Sequence, residues 1–174
     1  MRTVLVGTPP AELEMWLAQR RALGQDRFDE IWGGEYHVVP APHGRHGDIA
    51  NQLAVLLRPR AAVAGLWGSG PLNLGHTDDY RIPDGAYLRH RPDALYLPTA
   101  AIVVEVVSPD DETRRKPGFY FDLGVDELLV VDPATGDVEW YGRGAARFER
   151  RGRSQLLDMS EADLRAEIDW PPPS

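Results

Sequence analysis

The sequence predicts an α/β (α+β) fold in which a mixed central β-sheet is flanked by helices. Apolar residues recur at helical spacing near the start of the chain and again after His46, which predicts two amphipathic helices. A β-branched apolar run over 101–107 is typical of a buried central strand, and the run over 127–131 has a similar composition. Helical and strand-like segments occur along the same chain, which is the pattern of an α/β or α+β fold.

The first part of the chain predicts a helix, a hairpin and a second helix. The first helix covers residues 10–23 and begins at a proline, a residue favoured in the first helical turn. Residues 29–39 predict a β-hairpin whose two-residue turn is Gly33-Gly34. A helix that begins near His46 follows, and its apolar residues recur at helical spacing: Ile49, Leu53, Leu56 and Leu57.

The remaining part of the chain predicts most of the sheet. Strand-like segments are expected at about 66–74, 80–88, 94–97, 101–107, 127–131 and 137–141. A short helix over about 115–124 separates the last two of these from the others. That helix is expected to end at Gly124, since glycine commonly follows the last helical residue.

The composition restricts the class of protein. With 174 residues, of which 43% are hydrophobic and 26% charged, the chain is typical of one globular domain. No apolar run approaches the roughly 20 residues of a membrane span, and we expect no signal peptide. The sequence has no cysteine, which excludes disulfides, thiolate metal sites and cysteine nucleophiles, and is compatible with the cytoplasmic location that we predict.

The net charge of -8 disfavours a protein whose whole surface binds nucleic acid. Two local basic clusters exist, one over 114–116 and one formed by the arginines between 143 and 153. Clusters of this kind are most often solvated surface.

Glu105 is the most informative residue, because it puts a charge in the middle of the predicted buried strand. Removing water from a carboxylate is costly, so a buried glutamate needs a partner. Strand alternation places Val103, Glu105 and Val107 on one face. The partner could be a cation such as Arg114, which would make a structural ion pair, or a metal ion.

Two further charged residues are candidates for the same place. Asp84 follows Ile82-Pro83 in a strand-like segment, and Lys116 begins the helix after Glu105. Two carboxylates on adjacent strands can hold Mg²⁺, or Mn²⁺ as an alternative, since hard cations prefer oxygen ligands. The metal would activate a water molecule, and the lysine would orient it or stabilise developing charge. Asp93 is an alternative to Asp84 as the first acidic ligand.

Other hydrolytic motifs are missing from the sequence. The five histidines show no paired spacing typical of zinc ligands. Gly68-Ser69-Gly70 lacks the pattern of a nucleophile elbow, and no phosphate-binding loop of the Gly-x-x-x-x-Gly-Lys type occurs.

The order of these motifs resembles the Uma2 family of endonuclease-like proteins, catalogued as a domain of unknown function (DUF820) within the PD-(D/E)xK nuclease superfamily. The resemblance covers about 28–142. Its matching segments are Gly34-Glu35-Tyr36, Pro40-Ala41-Pro42, His46, Ile82-Pro83-Asp84, the run from Val103 to Pro109, the run from Lys116 to Tyr120, Gly124-Val125 and Val130-Val131-Asp132-Pro133.

The resemblance implies a restriction-endonuclease-like core at 28–142. A helical extension at 1–27 and a C-terminal extension at 143–174 would belong to the same single domain. It also implies the roles of five residues: metal ligation by Asp84 and Glu105, a catalytic Lys116, and auxiliary roles for Glu35 and His46.

The sequence departs from the superfamily pattern at Val107, where the signature has its lysine. The resemblance implies a variant in which this lysine moves onto the following helix, at Lys116. The segment between Ser108-Pro109 and Lys116 is also short for the family.

The function that follows is metal-dependent cleavage of DNA, and we expect that a homodimer could supply a basic cleft for it. Two alternatives stay open: a catalytically silent nuclease fold that acts as a binding or assembly module, and a metal-dependent hydrolase of small phosphoesters. Val107 and the short segment before Lys116 favour the first of these alternatives.

Overall fold

The computed structural model describes residues 3–7, 10–108 and 112–172. The motif residue Pro109 lies outside these ranges. Four α-helices occur within them: α1 (Ala11–Ala22), α2 (Gly44–Val63), α3 (Pro117–Asp122) and α4 (Glu161–Glu167). The strands in the same ranges are β1 (Thr3–Leu5), β2 (Glu30–Trp32), β3 (Glu35–Val38), β4 (Trp67–Ser69), β5 (Asn73–His76), β6 (Asp79–Arg81), β7 (Gly85–Leu88), β8 (Tyr96–Leu97), β9 (Ile102–Val106), β10 (Glu127–Asp132), β11 (Asp137–Arg143), β12 (Phe148–Arg150), β13 (Arg153–Ser154) and β14 (Met159–Ser160).

The predicted α/β class with a mixed sheet is confirmed, but the strands divide between two six-stranded sheets. The central sheet has the order β12-β11-β10-β9-β7-β4, with β9 and β10 parallel and its other neighbours antiparallel. The second sheet has the order β1-β3-β2-β6-β5-β8, and β13 pairs with β14 in a separate ladder.

The division follows from two prolines within the segments that we predicted as single strands. The segment 66–74 leaves the central sheet at Gly70-Pro71, and the segment 80–88 enters it again after Ile82-Pro83. Because proline has no backbone N–H to donate, it interrupts a ladder of hydrogen bonds. Each predicted strand therefore becomes two short strands, one in each sheet.

Strand β9 is the centre of the fold, and all five of its residues are buried. Its side chains alternate as predicted between the two faces of the central sheet. Ile102, Val104 and Val106 pack in a core that includes α2 and α4. Val103 packs in a second core with Tyr120 of α3 and with β10. Glu105 lies on that second face, because it follows Val103 by two residues.

The helices largely agree with the predicted positions. Helix α2 begins at Gly44, slightly before the expected start, and the His43 side chain accepts a hydrogen bond from the backbone of Arg45 at 3.3 Å. Three of its four predicted apolar residues are buried; Leu56 is only partly buried. Helix α3 ends shortly before Gly124, whose φ of 80° is the left-handed conformation expected after a helix.

Several elements near the two ends of the chain carry no strong sequence signal. Strand β1 pairs with β3, so the segment at 1–27 holds a strand besides the predicted helix. In the C-terminal segment four side chains join the core that contains α2: Leu157, Met159, Leu164 and Ile168. Strands of two or three residues are too short to show a period. In the described part of the chain, no helix is long and apolar enough to cross a membrane.

Candidate active site

A cavity of about 550 Å³ lies between the start of α2, the β2–β3 hairpin and the ends of β6 and β9. One part of its wall is polar and includes Glu30, His46, Asp84, Glu105, Ser108 and Lys116. These residues come from separate segments of the chain, so the cavity exists only when the second sheet has packed against the central sheet.

Glu105 is buried at the base of this cavity, with 3% of its surface exposed. The Lys116 Nζ atom lies 3.3 Å from Glu105 Oε1 and 3.4 Å from Oε2, and the Tyr120 hydroxyl donates a hydrogen bond to Oε1. Burial raises the pKa of Glu105 to about 8; Lys116 opposes this effect, while Asp84 and Glu30 add to it.

Lys116 holds the cluster together as its central cation. It occupies the N-cap of α3 directly before Pro117, the position that the sequence predicted. Its Nζ atom lies 2.9 Å from Glu30 Oε1, and its side chain is only 11% exposed. Burial by itself would lower the pKa of Lys116, but the carboxylates of Glu105 and Glu30 outweigh it and raise this pKa. The lysine therefore stays charged throughout the physiological range.

Asp84 lies between β6 and β7, beside the end of β9. Strand β7 is antiparallel to β9, with Gly85 opposite Val104, so Asp84, directly before β7, lies beside the strand of Glu105. Asp84 Oδ2 accepts a hydrogen bond of 2.7 Å from the backbone N–H of Val106. Its side chain is 20% exposed and is therefore the more accessible of the two carboxylates.

His46 connects the first turn of α2 to this carboxylate. Its Nε2 atom lies 2.6 Å from Asp84 Oδ1, and its Nδ1 atom lies 2.7 Å from the hydroxyl oxygen of Ser108. Because both ring nitrogens have partners, the imidazole is held in one orientation. His46 therefore acts in this geometry as a support for Asp84.

The structure does not bring every predicted residue to the cavity. Among the residues that the structure describes, neither Glu35 nor Asp93 lines it. Glu35 lies beside the hairpin turn, 47% exposed, with its Oε2 atom 3.9 Å from His37 Nε2. Asp93 is exposed in the connection between β7 and β8. Arg114, the alternative partner of Glu105, forms an ion pair with Glu139 instead.

Two residues that contact Lys116 or Glu105 were not predicted from the sequence. Glu30 accepts hydrogen bonds of 2.7 Å from the indole N–H of Trp32 and from the backbone N–H of Ile82, besides its contact with Lys116. Tyr120 lies four residues after Lys116 and thus on the same face of α3, a spacing that could have revealed it. Glu30 carried no comparable signal, because a glutamate in a hairpin is usually exposed.

The donor set fits a hard divalent cation. Three carboxylates, Glu30, Asp84 and Glu105, surround a single lysine, so the cluster has an excess of negative charge that such a cation would neutralise. Within 3–7, 10–108 and 112–172, no three His, Asp or Glu side chains are grouped to hold a metal by themselves. Mg²⁺ commonly uses only one or two protein carboxylates and takes its other ligands from water and substrate phosphates.

Comparisons with known proteins identify the family of the chain and a similar fold. Residues 13–169 match the profile of the Uma2 family, described as "Putative restriction endonuclease". A similar solved structure is that of "a putative nuclease belonging to DUF820" from Anabaena variabilis, with a TM-score of 0.66, 17% sequence identity, and coverage of 80% of this chain and 90% of that chain. At this identity the likeness shows a common fold. No protein with a curated description matches the chain significantly.

Proposed function

This chain belongs to the Uma2 family, and from that membership we propose that it is a metal-dependent endonuclease that hydrolyses phosphodiester bonds in DNA. The observation that carries the proposal is the meeting of Asp84, Glu105 and Lys116 at one end of the cavity. Two carboxylates can hold a metal ion that assists phosphodiester hydrolysis, and a lysine can stabilise the charge that develops on the phosphate.

Asp84 and Glu105 would hold Mg²⁺ or Mn²⁺. When bound, the metal would lower the pKa of a coordinated water molecule and neutralise charge on the phosphate. Glu105 must lose its proton to become a ligand, and burial raises its pKa to about 8, so metal affinity should increase with pH up to that value.

Lys116 would act on the reacting phosphate from beside Glu105. Its ammonium group is charged and is held by Glu30 and Glu105, which leaves its third donor for a phosphate oxygen or the attacking water. His46 would keep Asp84 in place through its bond of 2.6 Å. Glu30 replaces Glu35 as the auxiliary glutamate in this proposal, because Glu30 is the one that contacts Lys116.

The experiment that tests the proposal is cleavage of supercoiled plasmid and of single-stranded DNA with Mg²⁺ or Mn²⁺. We expect Glu105→Gln to lower the cleavage rate by at least about 100-fold, since it removes a metal ligand. Glu127→Gln is the matched control, because Glu127 is also a buried glutamate of the central sheet but lies outside the cavity. Full activity of Glu105→Gln, or no activity of the wild type on either DNA, would contradict the proposal.

One observation favours the silent binding module as a second candidate. The carboxylates of Glu105 and Asp84 already have hydrogen-bonding partners in the protein: Lys116, Tyr120, His46 and the N–H of Val106. Titration with Mn²⁺ separates the candidates. An active site should be stabilised against thermal unfolding by the metal, and Glu105→Gln should abolish the effect; a silent fold should show no metal-dependent stabilisation.

We further propose a cytoplasmic location and a homodimer. The net charge of -8 leaves little basic surface for DNA, and a second copy would add to it. Sedimentation that detects only monomers, at the concentrations used for cleavage, would remove the dimer from the proposal.

A further inference from the structure

The cavity has a second, apolar part that the proposed chemistry does not use. Its wall is formed by side chains from the segment before β2, the end of β3, helix α2 and the turn after β4. They include Phe28, Val38, Pro40, Ala50, Ala54 and Pro71. The polar cluster and this apolar wall therefore face one open cavity of about 550 Å³.

The reacting groups lie deep within this space. Glu105 is 3% exposed, and the side chains of Lys116 and Asp84 are 11% and 20% exposed. The volume falls in the range of about 300–1,000 Å³ that is usual for small-molecule pockets. A scissile phosphate must enter the cavity to reach these groups.

The C-terminal arginine cluster, whose members do not line the cavity, also offers a weak track for a duplex backbone. In the C-terminal arginine cluster, Arg150, Arg151 and Arg153 form ion pairs with Glu161, Glu149 and Asp158. The paired carboxylates partly neutralise these arginines and so weaken them as an extended basic track for two strands of phosphates. At the mouth of the cavity, α2 begins with no acidic residue in its first turn, which favours an anionic group there.

We propose that the cavity binds an unpaired nucleotide, with its base against the apolar wall and its phosphate at Asp84, Glu105 and Lys116. The preferred substrate is therefore single-stranded DNA. A base that is paired within a duplex cannot contact the wall, whereas an unpaired base can lie against it. Phe28 is the aromatic side chain of the wall and offers a stacking surface. This inference rests on the proposed function for its choice of ligand.

The first test is binding, measured without Mg²⁺ or Mn²⁺ so that no cleavage occurs. The probe is a short fluorescein-labelled oligothymidine, alone or annealed to its complement, and the signal is fluorescence anisotropy in EDTA and again in Ca²⁺. We expect the single strand to bind at least about tenfold more tightly than the duplex. Phe28→Ala should weaken binding of the single strand by about fivefold or more, the loss expected for one stacked base.

Trp16→Ala is the matched control for Phe28→Ala. Trp16 is an exposed aromatic residue of α1 that does not line the described cavity, and its 40% exposure is close to the 37% of Phe28. A second variant, Ala54→Leu, narrows the cavity from α2, and its control is Val55→Leu at the next, exposed position. Both cavity variants should weaken binding of the single strand, and both controls should leave it unchanged.

Two outcomes would overturn the inference: duplex binding as tight as single-strand binding, or cavity variants that bind the single strand like their controls. A cleavage assay with both DNA forms and with bis(p-nitrophenyl) phosphate tests the nuclease activity separately from the binding of an unpaired nucleotide. If no substrate is cleaved in Mg²⁺ or Mn²⁺, the nuclease proposal fails, while the binding data still decide whether the cavity takes an unpaired nucleotide.

Discussion

Glu105 and Glu127 are buried glutamates on neighbouring parallel strands of the central sheet, with exposures of 3% and 6%. Their partners differ in kind. Glu127 accepts hydrogen bonds from the backbone N–H groups of Gln155 and Leu156, at 2.7 and 3.1 Å, and from the hydroxyl of Ser154. Glu127 therefore ties the C-terminal segment to the sheet.

Glu105 is bound instead by two side chains, those of Lys116 and Tyr120, and it lines a cavity. Backbone donors are fixed by the fold, so they hold the Glu127 carboxylate in place. Side-chain donors can rotate away when a ligand arrives. The comparison teaches that burial of a carboxylate does not identify a functional site by itself; the kind of partner and the access of a ligand do.

The largest effect that we expect from this difference is on the pH dependence of stability. Folded Glu105 keeps its proton up to pH of about 8, whereas the unfolded chain releases it near the ordinary value of 4.5. The folded state thus binds more protons between these values, and the free energy of unfolding should fall as pH rises through this window. Across the whole window, the free energy of unfolding should fall by at most about 5 kcal/mol.

Urea unfolding at a series of pH values, in EDTA, measures this dependence. The stabilising contribution should be complete below the lower value and lost once the pH passes about 8. Glu105→Gln cannot titrate, so its stability should change less across the window than that of the wild type. Parallel stability curves for the two proteins would show that Glu105 is ionised throughout the window.

Removal of the central cation should have the next largest effect. Lys116→Met leaves Glu30 and Glu105 without their common partner and should destabilise the protein by about 3–5 kcal/mol above pH 8. The loss should be smaller at low pH, because a protonated Glu105 needs no cation. Urea unfolding at both pH values measures it.

The control for this variant is Arg89→Met, which breaks the exposed ion pair between Arg89 and Asp126. An exposed pair contributes at most about 1 kcal/mol, so this variant should remain close to the wild type. Equal losses for the two variants would mean that Lys116 does not stabilise the buried carboxylates.

The smallest effect concerns the glutamate that lies outside the cavity. Glu127→Gln replaces one carboxylate oxygen by an amide nitrogen, which cannot accept a hydrogen bond, and should destabilise the protein by about 1–3 kcal/mol. Metal-dependent cleavage should persist at the wild-type rate under conditions in which the variant is folded. Loss of cleavage in a folded Glu127→Gln would show that the two glutamates are not separate in function.

The sequence alone determined the local conformation of the segments that have long, regular patterns. It also placed one carboxylate, that of Glu105, in the middle of a buried strand. The β-branched run around Glu105 identified β9, the spacing of apolar residues identified α2, and Gly33-Gly34 identified the hairpin turn. These signals are local, because the period of the side chains reflects the backbone conformation and the face that is buried. The family motifs added Asp84 and Lys116, which the fold does bring to Glu105.

The tertiary structure decided which side chains meet and which of them line the cavity. Glu30 rather than Glu35 contacts Lys116, and Tyr120 donates a hydrogen bond to Glu105. Arg114 pairs with Glu139, and the strands divide between two sheets. Each of these depends on how elements distant in the chain pack against each other, and that packing leaves no period in the sequence. The same reason explains why Glu105 and Glu127, alike in residue type and burial, differ in their contacts: only the folded chain determines whether backbone or side chains supply the partners.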